Sequence, residues 1–102
     1  RVLFRSSVKA DLLVAVKEFA EARETAHRAR TMLAESLPEN HWRVAAAESA
    51  EGAALTGLGD YAEAEVLLLK SNDVLRKGGP ATTSLSQLSR ERLDHLYAVW
   101  KR

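Results

Sequence analysis

The 102 residues, 46% hydrophobic and 28% charged, describe a folded chain of one domain at most rather than a disordered one. A net charge of +1 offers no strongly basic face to a nucleic-acid backbone, and the lack of cysteine excludes disulfides and thiolate chemistry. No apolar run reaches the roughly 20 residues that cross a bilayer, and no signal-peptide pattern opens the chain.

The first six residues, RVLFRS, match a translation of the end of a widely used sequencing adaptor. The expectation is that residues 1–6 are non-native and that the natural sequence begins near Ser7 as a fragment of something longer. From there the periodicity predicts helices over about 7–16 and 19–36. An Ala-rich run, VAAAESAEGAALTGLG, predicts a third helix over about 42–57, closed by Gly59 in the left-handed turn that glycine suits. A fourth, over about 61–77, has Tyr61, Ala64, Leu67, Leu68, Ser71, Val74 and Leu75 at helical spacing. After the KGG stop and Pro80, a fifth helix over about 84–101 carries Leu85, Leu88, Leu93, Leu96, Tyr97 and Trp100. Asn40 and Thr82 are the expected caps of the third and fifth helices.

The chain also repeats itself. KEFAEAR at 17–23 returns as GDYAEAE at 59–65, so Phe19 stands 42 positions before Tyr61 and Ala22 before Ala64. The same offset pairs Ala29 with Ser71, Met32 with Val74, Leu33 with Leu75 and Pro38 with Pro80. A period in this range means stacked supersecondary units, each unable to bury its apolar face alone. Small residues at Gly52 and Ala64, matched by Ala10 and Ala22, let antiparallel helices approach closely.

Gly52, Leu55, Gly59, Tyr61, Ala64 and Leu68 together resemble the signature of the tetratricopeptide repeat. Phe19 and Ala22 are its echoes at the repeat offset, and Pro38 and Pro80 pair with each other at the same offset. The longer period, the YAEAE string and the PENH linker are similar to the kinesin-light-chain subtype rather than the usual repeat of about 34 residues. The chain departs from that pattern where Lys17 replaces the turn glycine, Ala26 stands in the place of Leu68, and Asp94 replaces a small residue. It departs again at Glu48 and Glu51, which occupy usually apolar places. The resemblance implies an all-α, right-handed solenoid of antiparallel hairpins, about five helices, over 7–102: unit one 7–38, unit two 40–80, and a closing helix 84–101. The wording LPENHWRVAAAES and GDYAEAEVLLLKS also resembles repeats that follow serine/threonine kinase domains in bacterial multidomain signalling proteins. No Gly-rich loop, HRD or DFG string accompanies it here.

Chemistry is sparse. His27, His41 and His95 lack metal-ligand spacing, so no metal or cofactor is expected. His27 is placed on an outer helix face and His41 at the turn between repeats. Ser49, Ser71, Ser84, Ser86 and Ser89 read as helix-end or surface serines, with no nucleophile elbow around any of them, so the chain is not expected to be an enzyme. Arg23, Arg28 and Arg30, interrupted by glutamates, read as a solvated face. Trp42 and Trp100 are expected to pack at repeat junctions rather than serve as hot spots.

In the family resembled, the first helix of each hairpin lines a concave face that holds a peptide or partner helix. Carrying those positions across gives Asp11, Ser49, Ala53, Thr56, Glu91, Arg92 and His95. Ala50 stands where carboxylate-clamping relatives have Asn, and only Arg92 remains of that set. The leading expectation is a cytoplasmic, non-catalytic protein-protein interaction scaffold. The alternative is an interior spacer of a longer solenoid, with further repeats or flanking domains as its partners. A lesser one, resting on the Arg cluster, is a nucleic-acid-contacting regulatory domain.

Overall fold

A computed structural model describes residues 2–101, with side chains from Lys9 onward. The described residues are helical, with no strand among them. The helices are α1 (Val2–Ala15), α2 (Phe19–Ser36), α3 (Trp42–Leu58), α4 (Tyr61–Arg76) and α5 (Thr83–Trp100), with a 3-10 turn (Gly79–Thr82) before the last. Four of the five sit within a residue or so of their expected bounds, and α1 starts earlier, at Val2. None of the described helices is long and apolar enough to cross a membrane.

Successive helices are antiparallel. Contacts run in opposite chain order across each pair, as with Glu48 to Lys70 and Gly52 to Leu68 between α3 and α4. The central helix is α3, which touches all four others. That is why its buried positions, including Ala45, Ala47, Ala50, Ala53, Ala54 and Leu55, cover every side of it instead of one stripe. Alanine suits such a place, because a short side chain lets neighbours on several sides approach the helix axis together.

The core is uneven. Leu55, Ala64, Leu68, Leu93 and Leu96 form the largest cluster, between α3, α4 and α5, flanked by Tyr61, Leu67, Tyr97 and Trp100. The first hairpin docks through alanines: Ala10, Ala26 and Ala50 in one cluster, and Ala29 and Ala47 with Leu33 in another. Gly52 explains the close approach of α4. A Cβ built there would lie 2.6 Å from Leu68 Cγ and 3.4 Å from the Ala64 carbonyl oxygen.

Both hairpins turn by the same hydrogen bonds. In the first, Lys17 N–H donates to Val14 O at 3.0 Å and Glu18 N–H to Leu13 O at 2.8 Å. In the second, Gly59 N–H donates to Thr56 O at 3.1 Å and Asp60 N–H to Leu55 O at 2.9 Å. This is the Schellman closure, with the residue after the helix in the left-handed region: φ 87° at Gly59 and φ 65° at Lys17. The aromatics that follow sit in matching places too. Phe19 lies against Gly57 near the end of α3, and Tyr61 against Trp100 at the end of α5, with ring centroids 5.8 Å apart.

Three local expectations change. Asn40 does not cap α3: it takes φ 65° in the loop, a conformation Asn tolerates, and His41 caps instead by accepting from Arg43 N–H at 3.1 Å on Nδ1. Thr82 precedes α5 but makes no capping bond, because its hydroxyl donates to the Leu75 carbonyl at 2.7 Å. Ser49, Ser71 and Ser89 are buried rather than superficial. Ser71 donates to Leu68 O at 3.2 Å, and Ser89 donates to Ser86 O while receiving Asn72 Nδ2 at 2.7 Å.

Candidate functional site

The first helix of each hairpin and the closing helix, α1, α3 and α5, share one side of the molecule. Arg92 of α5 draws them together. Its Nη1 donates to Ser49 Oγ at 2.8 Å and its Nη2 to Asp11 Oδ1 at 3.0 Å. The Arg92 side chain is only 11% exposed, so the guanidinium acts as a strut across α3, not as a free surface charge. A planar donor fork suits that task, since one side chain can meet two acceptors in fixed directions.

Beside the strut opens a cavity of about 270 Å³, lined by Ala53, Thr56, Glu91, Arg92 and His95, with Leu88, Val14 and Phe19 adding apolar wall. The seven residues read from the sequence therefore come together: five line the cavity, and Asp11 and Ser49 hold Arg92. Thr56 spends its hydroxyl hydrogen on Gly52 O at 2.9 Å, leaving the oxygen's lone pairs. Glu91 and His95 stand exposed at the rim. Gly57 and Phe19 meet in the wall of this cavity. A Cβ there would meet the Phe19 ring, so a bare backbone lets the ring lie flat along the wall. Ala50, by contrast, is buried with Ala10 and Ala26 and faces away from the groove.

On the other side of α3 the sequence reading missed a charged layer. Glu48 and Glu51 are 3% and 2% exposed, in places where an apolar side chain was expected. Arg30, expected on a solvated face, instead pairs with Glu51: its Nε donates to Oε1 at 2.8 Å. His27 Nδ1 lies 3.3 Å from Glu51 Oε2 and 3.0 Å from Arg30 Nη2. That nitrogen serves one of them at a time, donating to the carboxylate when protonated and accepting from the guanidinium when not. Glu48 meets Lys70 Nζ at 3.3 Å. One signal could have revealed this: two glutamates in a helix with no polar face must be buried and so need partners.

Arg28 pairs with Glu24 of its own helix, leaving Arg23 and Arg28 as the exposed part of the basic cluster. Trp42 is half-buried, stacked on His41 at 5.9 Å with the Arg43 guanidinium 5.2 Å from its ring. Among the described residues no group of His, Asp and Glu is arranged to hold a metal ion. No family profile, no curated protein and no solved structure matches the chain.

Proposed function

We propose that this chain is a tetratricopeptide-type solenoid of two hairpins and a closing helix, and that it works as a protein-binding scaffold without catalysis. Contacts between neighbouring hairpins, the paired Schellman turns and the matched settings of Phe19 and Tyr61 support the solenoid reading. The kinesin-light-chain-like subtype belongs to the same proposal and rests on the repeat length and linker wording.

One observation carries the binding reading: the cavity on the α1–α3–α5 side, apolar along its walls and polar at its rim. Such a concavity takes one anchoring apolar side chain of an extended segment while the rim meets the segment's backbone. The spacer alternative would use the ends of the stack: the outward side of α5 presents Gln87, Arg90 and Asp94 with Val99, while α1 exposes Leu12 and, just after it, Val16.

The test is selection of displayed random dodecapeptides against the chain, followed by fluorescence polarisation on the winners. Ala53→Trp, which fills the cavity, lowers affinity about tenfold or more. Because Ala53 is buried, the exposed pair Glu91→Arg with His95→Glu serves as a second arm that leaves the fold intact. Winners that bind both variants as well as the parent, or no winners at all, defeat the groove reading.

A further inference from the structure

Glu48 and Glu51 form a natural internal comparison. They lie one turn apart on α3, almost equally buried, at places where the repeat pattern has apolar residues. Glu51 has a partner within reach of each oxygen: Arg30 at Oε1 and His27 at Oε2. Among the described residues Glu48 has one ion-pair partner, Lys70, whose Nζ stands 3.3 Å from Oε2. Lys70 is a loose partner, with its side chain 56% exposed on the surface of α4.

This carboxylate lines a cavity. About 250 Å³ opens between the end of α2, the 37–41 loop, α3 and α4, bordered by Ala34, Leu37, Asn40, His41, Glu48 and Lys70. Ala34 and Leu37 belong to the end of α2, whose last carbonyls lack intrahelical donors, while His41 and Val44 bring the start of α3, of opposite partial charge, to the same cavity, which leaves Glu48 and Glu39 as its acidic groups. A buried carboxylate held by one exposed lysine and facing an unfilled volume is suited to a hydrogen-bonding cation.

We propose that this cavity, on the side of α3 away from the groove, binds a guanidinium or primary ammonium group that pairs with Glu48 in place of Lys70. A guanidinium fits best, since its two parallel N–H donors meet both carboxylate oxygens where the single lysine ammonium meets one. Arg30 lines the same cavity without opposing this, because its charge is already met by Glu51. The proposal is independent of the groove reading. Its sources are a small free amine or guanidine, or an arginine side chain on another polypeptide.

The experiment follows backbone amide shifts of the whole chain by NMR, at constant ionic strength, with agmatine in one arm and acetyl-Gly-Arg-Gly-amide in the other. The expected result is saturable shifts clustered at Ala34, Asn40, Glu48 and Lys70, abolished in Glu48→Gln. Lys70→Met gives the sharper readout. Removing the resident cation leaves Glu48 unpaired, so agmatine binds on the order of tenfold more tightly and recovers the thermal midpoint that the variant loses. Agmatine binding without peptide binding assigns the site to free small cations; binding of both assigns it to an exposed arginine. Shifts that persist in Glu48→Gln, an unchanged affinity in Lys70→Met, or no saturable shift in either arm overturns the proposal.

Discussion

Lys17 stands where its own repeat partner is a glycine, and that difference can be tested in both directions. Its φ of 65° lies in the left-handed region, and the two Schellman hydrogen bonds around it match those around Gly59. A residue with a Cβ gives up about 1–2 kcal/mol to adopt that conformation. Placing glycine there removes the strain but returns about 0.5–1 kcal/mol of backbone freedom to the unfolded chain. It also discards a few tenths of a kcal/mol from the cation beside the α1 C-terminus. The balance for Lys17→Gly is a gain of roughly 0.5 kcal/mol, equivalent to a rise of about 2–4 °C in Tm for a chain of this size.

The reverse change, Gly59→Lys, meets no neighbour within 4 Å of the new Cβ, so its effect is a backbone effect alone, of similar size and opposite sign. Thermal unfolding followed by circular dichroism, with urea midpoints as a check, measures both. The two variants should bracket the parent. A Lys17→Gly protein no more stable than the parent, or a Gly59→Lys protein that melts no lower, refutes the argument that the two turns are equivalent and that Lys17 is strained.

Two further outcomes follow from the geometry. Gly57→Ala drives a methyl group into the Phe19 ring and should destabilise the chain by about 1–3 kcal/mol in urea unfolding. The loss should shrink in a Phe19→Ala background, because the two positions are in contact. Asp73 accepts hydrogen bonds from Lys77 at 3.1 Å and Arg76 at 2.9 Å, which hold its carboxyl below the usual aspartate range, Lys77 first. A depressed folded-state value means any contribution to stability is present above the ordinary carboxylate range and fades as pH falls through the lowered one. NMR titration of the Asp73 side chain should therefore show a low midpoint that rises in Lys77→Ala.

The helices were legible because punctuation and periodicity agreed. Gly59, Pro38, the KGG stop and the repeat offset all mark boundaries, and each helix between them has an apolar stripe or an alanine run. The seven candidate positions came from the family resemblance, carried across place by place, and the structure puts five of them along one cavity with Asp11 and Ser49 on Arg92. What escaped was polar chemistry inside the fold. Charge on Arg30 reads as solvent exposure until the partner helix is known, Glu48 and Glu51 stand out only as departures from an apolar pattern, and the pairing of Arg30 with Glu51 spans residues far apart in sequence. His41 was missed as a cap because Asn40 beside it is the commoner capping residue, yet Asn40 was needed for the turn.

The position of α3, touched by every other helix, has a consequence for how the molecule comes apart. Either end of the stack can come away only by stripping a side from the same central rod. Amide hydrogens in the middle of α3 should then exchange with solvent only through global opening, at the rate set by the full unfolding free energy.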